Sequence, residues 1–135
     1  MVLDVRDRYA MRDEQDLLVV LAIVRKLLRA AHWSPMDEQM VIVSASELCR
    51  NIIVHAHGQG DFSCKELPYG VEIMAKDRGP GIPDVLQALR AAGKSTHGLG
   101  LGLAGVNRLM DEMLVETSCE GTMIIARKSK PTHKR

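Results

Sequence analysis

Two pairs of strand-like segments set the frame for this chain. "DFSCKEL" (61–67) is followed by "GVEIMAKD" (70–77) across "PYG", and "LVETSC" (114–119) by "TMIIARK" (122–128) around "EGT". Connections this short allow only antiparallel pairing. A chain that spends much of its length on two hairpins and the rest on helix-period segments predicts an α+β fold. Its sheet is mixed and mostly antiparallel, with the helices laid on one face.

The helix-period segments are clear. Helix one is predicted from about Asp13, with Asp16 in its first turn and an apolar stripe of Leu17, Leu21, Val24, Leu28 and Ala31. "HWSPMDEQ" breaks it. Ser34 is a natural N-cap, Pro35 suits the first helical position, and Asp37 and Glu38 complement the dipole of helix two. That helix is expected to run to about His57, where Gly58 and Gly60 end it. Residues 2–11 read as an edge strand, 84–92 as a short helix after the turn "RGPGIPD", and 103–112 as a last helix. The expected order is β, α, α, β, β, α, loop, α, β, β, within one domain spanning residues 1–135.

Charge and cysteine content exclude several function classes. Eighteen Lys and Arg against 17 Asp and Glu leave a net charge of +1, which gives no electrostatic reason to expect a nucleic acid or a membrane surface as partner. The basic end at 129–135 reads as a solvated terminus. Cys49, Cys64 and Cys119 are widely spaced with no CxxC pair, so neither a disulfide framework nor a zinc site is indicated. The charged start "MVLDVRDRYAMRDEQD" does not read as a signal peptide, and the longest apolar run, "LLVVLAIV", is too short to cross a bilayer. A cytoplasmic location is expected.

Three places carry candidate chemistry. "HGLGLGLAG" contains Gly100-x-Gly102-x-x-Gly105, a match to a dinucleotide fingerprint, but a helix end and a polar loop precede it where a strand is required. What remains is a glycine-rich loop (Gly98, Gly100, Gly102) entering a helix N-terminus, where unpaired N–H groups favour phosphate oxygens. Lys94, Ser95, Thr96 and His97 in "GKSTHG" supply further donors. The second place is "SELCRNIIVHA", where Glu47, Asn51 and His55 fall at i, i+4 and i+8 on an otherwise apolar helix. A carboxylate can take a proton from a hydroxyl, and an amide oxygen is a hard ligand for magnesium. His55 and His57 have the spacing of a metal pair but no evident third ligand. The third is Asp77 at a strand end before Gly79 and Gly81, where a rigidly held carboxylate can accept from an exocyclic amine. Each place alone also reads as plain structure: a flexible connection, a solvent stripe, a turn.

Together, "ELCRNIIVHA", "DRGPGIPD", "GLGLGL" and "EGTMIIA" resemble, in order and spacing, the N box, the two glycine boxes and the GT box of the GHKL ATP-binding superfamily. The resemblance covers about residues 40–128. It implies the Bergerat fold, a two-layer α/β sandwich, and the cofactors ATP and Mg²⁺. By the family pattern Glu47 is the general base and Asn51 holds the magnesium bridging the phosphates. Asp77 binds the adenine amino group with Thr122 in support. Gly79 and Gly81 admit the base, and Gly98, Gly100 and Gly102 belong to the ATP lid.

With no room for a dimerisation helix pair or a transducer domain, the chain is most similar to the bacterial serine/threonine kinases of partner-switching pathways. Within these, "SELCRNIIVHA", "DRGPGIPD" and "AGVNRLMDEM" resemble the RsbT-type switch kinases. That resemblance implies two partners, a STAS-domain antagonist protein that is phosphorylated and a PPM-type phosphatase that is activated. The related RsbW-like branch implies the alternative of an anti-sigma factor kinase that sequesters a sigma factor, and a non-catalytic ATP-dependent docking module is a further alternative. The lid segment "KSTHGLGLGL" departs from the usual pattern in being shorter and in carrying His97 where a small residue is common.

Overall fold

The computed structural model describes residues 8–90 and 102–131. In chain order the elements are β1 (Tyr9–Ala10), α1 (Glu14–Ala30), α2 (Pro35–Arg50), a single π-helical turn (Asn51–His55), β2 (Gly60–Leu67), β3 (Gly70–Asp77), α3 (Val85–Arg90), α4 (Gly102–Leu109), β4 (Glu112–Ser118) and β5 (Gly121–Ser129). The strands form one sheet in the order β1-β2-β3-β5-β4. Every described pairing is antiparallel, where the sequence predicts a mixed sheet. The second hairpin explains this: it turns β5 inward against β3 and leaves β4 at the edge.

Both long helices begin where capping chemistry requires. The Asp13 side chain accepts from the N–H of Asp16, and Ser34 accepts from Asp37 at the head of α2 with Pro35 in the first turn. The end of α1 is less ordinary. The N–H of Trp33 donates to the Leu28 carbonyl at 3.1 Å and that of His32 to Arg29 at 3.0 Å, the paired bonds of a Schellman ending. The residue that must adopt left-handed backbone there is His32, with φ 62°. Glycine usually fills that position because a Cβ is disfavoured in this region.

The core lies between the helices and one face of the sheet. Leu17, Val20, Val24 and Leu28 of α1 and Val41, Ala45, Leu48 and Ile52 of α2 pack over Phe62, Val71, Ile73, Ala75, Ile124 and Ala126. In α1 the buried stripe includes Val20, which the expected stripe omits, while Leu21 is only half-buried. The opposite face of the sheet carries a cross-strand charge row in which Arg127 meets Glu72 at 2.8 Å and Glu112 at 3.3 Å. The Cys49 thiol lies in the core, Cys64 packs half-buried against it and Cys119 is exposed; burial pushes the Cys64 thiol up to about 12.

Some boundaries shift. α4 ends at Leu109 and β4 already begins at Glu112, inside the span read as helix. Ala126 and Lys128 are buried in β5, which runs on to Ser129, the first residue of the span read as a solvated terminus. Lys128 donates to the Leu109 carbonyl at 2.9 Å, and Lys130 donates to that of Ala31. No described helix is long and apolar enough to cross a membrane.

The His32 ending gives a direct test of backbone strain. A β-branched side chain tolerates left-handed backbone least and glycine best. Chemical denaturation should therefore find His32→Val less stable than His32→Gly by about 1–2 kcal/mol.

Candidate functional site

Asp77, the last residue of β3, stands opposite Thr122 of β5 in the central ladder. Its Oδ1 accepts from the N–H of Gly79 at 2.9 Å and from that of Thr122 at 3.3 Å. The Thr122 hydroxyl shares a 2.8 Å hydrogen bond with that of Thr117, and Thr117 Oγ1 also accepts from the N–H of Ile82 at 2.9 Å. The turn after β3 is thus tied to the second hairpin at two points, and the Asp77 carboxylate is fixed in direction.

Space explains the two glycines of that turn. A Cβ on Gly79 would lie 2.8 Å from Ala56 Cβ, so the turn closes directly on the end of the π-helical turn. Gly81 has φ 89°, and a Cβ there would lie 2.1 Å from the Ser118 carbonyl oxygen. Any side chain at either place would push the turn out of position.

Glu47 lies in the last turn of α2, and Asn51 follows directly as the first residue of the π-helical turn. Glu47 is 4% exposed, and its Oε1 accepts from the N–H of Gly102, the first residue of α4, at 3.2 Å. Gly102 takes φ 57° as the chain enters that helix. Among the described residues no cationic side chain pairs with this carboxylate, and the Gly102 N–H at the head of α4 is its hydrogen-bond partner there. Asn51 is half-buried and begins the π-helical turn, the kind of local widening that recurs at functional sites. Ser44, on the same side of α2 one turn before Glu47, buries a hydroxyl that has no hydrogen-bond partner.

Of the residues singled out from the sequence, the structure brings Asp77, Gly79, Gly81 and Thr122 into one connected network. It places Glu47 and Gly102 in contact and Asn51 one helical turn further on. His55 and His57 are exposed, so the row of three polar residues runs from buried to open. Lys94, Ser95, Thr96, His97, Gly98 and Gly100 lie outside the described residues. Thr117 and Ser44 were not anticipated. The pairing Thr117↔Thr122 could have been found by writing out the register of the second hairpin. The sequence carries no signal for Ser44.

The donor set suits a magnesium nucleotide. An amide oxygen and a carboxylate are hard ligands, and magnesium characteristically takes one or two such protein oxygens and completes its shell with phosphates and water. The described residues hold no cluster of three or more His, Cys, Asp or Glu able to cage a metal alone.

Comparison with known proteins identifies the family and the fold. The model of the histidine kinase-like ATPase domain matches residues 11–128. Over 118 residues the chain is 35% identical to the serine/threonine-protein kinase RsbT of Bacillus subtilis (strain 168), covering 84% of this chain and 88% of that protein. Over 113 residues it is 33% identical to the anti-sigma F factor of Clostridium novyi (strain NT), covering 73% and 79%. The fold superposes on the RsbU and RsbW domains of a Mycobacterium tuberculosis protein with a TM-score of 0.70 at 15% identity, over 97% of this chain and 34% of that one. This chain therefore spans about a third of that protein's length, and at such identity the likeness shows the fold alone.

Thr117→Val keeps the shape of the side chain and removes both of its hydrogen bonds. The Ile82 N–H then loses its acceptor, so stability should fall by about 1–2 kcal/mol and amide exchange at Ile82 should accelerate ahead of its β4 neighbours.

Proposed function

The chain belongs to the histidine kinase-like ATPase domain family, and from that premise we propose that it is an ATP-dependent serine/threonine protein kinase of a bacterial partner-switching pathway. The acceptor is a serine or threonine hydroxyl on a small STAS-domain antagonist protein. Once released from that protein, the kinase binds and activates a PPM-type phosphatase. The observation that carries this reading is the buried Glu47 carboxylate held against the N-terminus of α4, one turn before Asn51 at the start of the π-helical segment.

Each residue has a defined task. Asp77 Oδ1 is occupied by two backbone N–H groups, which turns Oδ2 toward the exocyclic amine of adenine. Gly79 and Gly81 let the turn close on Ala56 and Ser118, which sets the backbone that the base lies against, and Thr122 keeps Asp77 in its direction. Glu47 Oε1 is held by the Gly102 N–H, so Oε2 takes the proton of the attacking hydroxyl. The hydroxyl oxygen bonds to the γ-phosphorus as the bond to ADP breaks, and ADP leaves with that electron pair. The N-terminus of α4 directs N–H groups and the positive end of its dipole at the phosphates. Lys94, Ser95, Thr96, His97, Gly98 and Gly100 lie outside the described residues and are the nucleotide-binding residues that the family resemblance implies. Asn51 supplies the amide oxygen for magnesium, which when bound offsets the charge of the transferred phosphoryl group.

The likeness to an anti-sigma F factor supports a second reading, in which the chain holds a sigma factor as its main act. Phosphotransfer separates the two. Purified chain, magnesium and γ-labelled ATP should label a serine or threonine of the STAS-domain protein encoded nearest to it. Glu47→Ala should lower that transfer by about 10²-fold or more with ATP still bound. Binding of ATP without label on the partner would overturn the kinase reading in favour of sigma sequestration or a docking module. Asn51→Ala should abolish the magnesium-dependent part of ATP affinity, measured by calorimetry with and without the metal. If that dependence stays intact, Asn51 is not the ligand.

A further inference from the structure

A second built site lies at the other end of α2. Glu38 stands nine residues before Glu47, which places it about 13 Å back along the helix. There the last turns of α1, the Schellman ending and the first turn of α2 border an open cleft of about 600 Å³ lined by Arg25, Arg29, His32, Trp33, Pro35 and Glu38. Nothing in the proposed phosphotransfer uses it.

The charge arrangement is specific. Glu38 is 6% exposed and accepts from Arg25 Nη1 at 3.1 Å and from Arg29 Nε at 3.3 Å. One buried carboxylate thus fixes two guanidinium groups. A staple between α1 and α2 needs only one of them. Arg29 is 67% exposed, and its Nη1 and Nη2 make no hydrogen bond among the described residues. Lys26 adds a further exposed cation on α1. Asp37, the other acid nearby, is engaged with the Ser34 hydroxyl at 3.0 Å. Trp33 and Pro35 also line the cleft, and Met36, next in the chain after Pro35, is 70% exposed.

We propose that this cleft docks an acidic segment of a protein partner, with a partner carboxylate bridging Arg25 and Arg29 and a neighbouring apolar side chain seated on Pro35 and Met36. Guanidinium forks match carboxylates bidentately, and a pair already held in place loses little freedom on binding. Glu38 beneath them selects the ligand charge: it repels a dianionic phosphate more than a single carboxylate. The apolar rim gives a protein segment a second point of contact that a free anion would leave bare. This inference stands independently of the kinase reading.

Trp33 is the only tryptophan in the chain, so its fluorescence reports on the cleft directly. The full chain is titrated with a short synthetic peptide of glutamates and leucines, and separately with its lysine–leucine counterpart. The acidic peptide should produce a saturable change in Trp33 emission that weakens as salt is raised, and the basic peptide none. The triple variant Arg25→Gln/Arg29→Gln/Glu38→Gln removes all three charges together and leaves no buried ion unpaired. It should bind the acidic peptide about tenfold or more weakly with ATP affinity unchanged. Should the triple variant fold poorly, Arg29→Gln alone, at a largely exposed side chain, should weaken binding in the same direction. Equal response to both peptides, no saturable response, or full binding by the variants would overturn the proposal and leave the charge cluster as a link between α1 and α2 only.

Discussion

The Oδ1 atom of Asp77 accepts two backbone N–H bonds at once, from Gly79 within its own turn and from Thr122 on the neighbouring strand. The rest of the site is arranged around that pair of hydrogen bonds. The Gly79 bond closes the turn after β3 against Ala56, and the Thr122 bond ties the same carboxylate to the sheet centre. Through Thr117 the second hairpin then holds Ile82 on the far side of the turn. A single side chain thereby sets the mutual position of the turn, the end of the π-helical segment and the second hairpin. A charged acceptor suits this junction because hydrogen bonds to an ionised group are stronger than neutral ones.

Two buried glutamates on α2 show how environment assigns a role. Glu38 is matched by two arginines and so is electrostatically satisfied in place. Glu47 has, among the described residues, the Gly102 N–H at the head of α4 and no cation. A buried carboxylate without a cation is costly, and it persists where its charge is used. The unpartnered Ser44 hydroxyl on the same side of the helix marks this stretch again as more polar than packing requires. At the opposite end of α2 no such demand exists, and the excess is positive and outward-facing.

Much of this was legible in the sequence because local chemistry dictated it. Asp13 and Ser34 announce the starts of α1 and α2, since each supplies an oxygen to an otherwise orphaned N–H. The hairpins follow from alternation and turn length, and the boxes around Glu47, Asp77 and Thr122 follow from the family pattern. What could not be read depends on tertiary geometry. The π-helical turn at Asn51 has no local residue signal. The Schellman ending is hidden because His32 occupies the place where glycine would have advertised it. The start of β4 at Glu112 is set by pairing with Arg127 across the sheet, against a helical pattern that runs on through Met110. Glu38 reads from sequence as a first-turn dipole partner, and only packing shows it beneath two arginines.

The central claim is that the outward oxygen of Asp77 recognises the adenine amine. Asp77→Asn is nearly isosteric and can keep both backbone bonds on its remaining oxygen, while replacing the outward acceptor by an N–H₂ donor that faces another donor. The measurement is calorimetric affinity of the variant for ATP and for GTP beside the parent chain. The account predicts that ATP affinity falls by about tenfold or more, the loss of about one charge-assisted hydrogen bond, while weak GTP binding changes little and the thermal transition stays close to the parent's. Equal ATP affinity in a folded variant would contradict it.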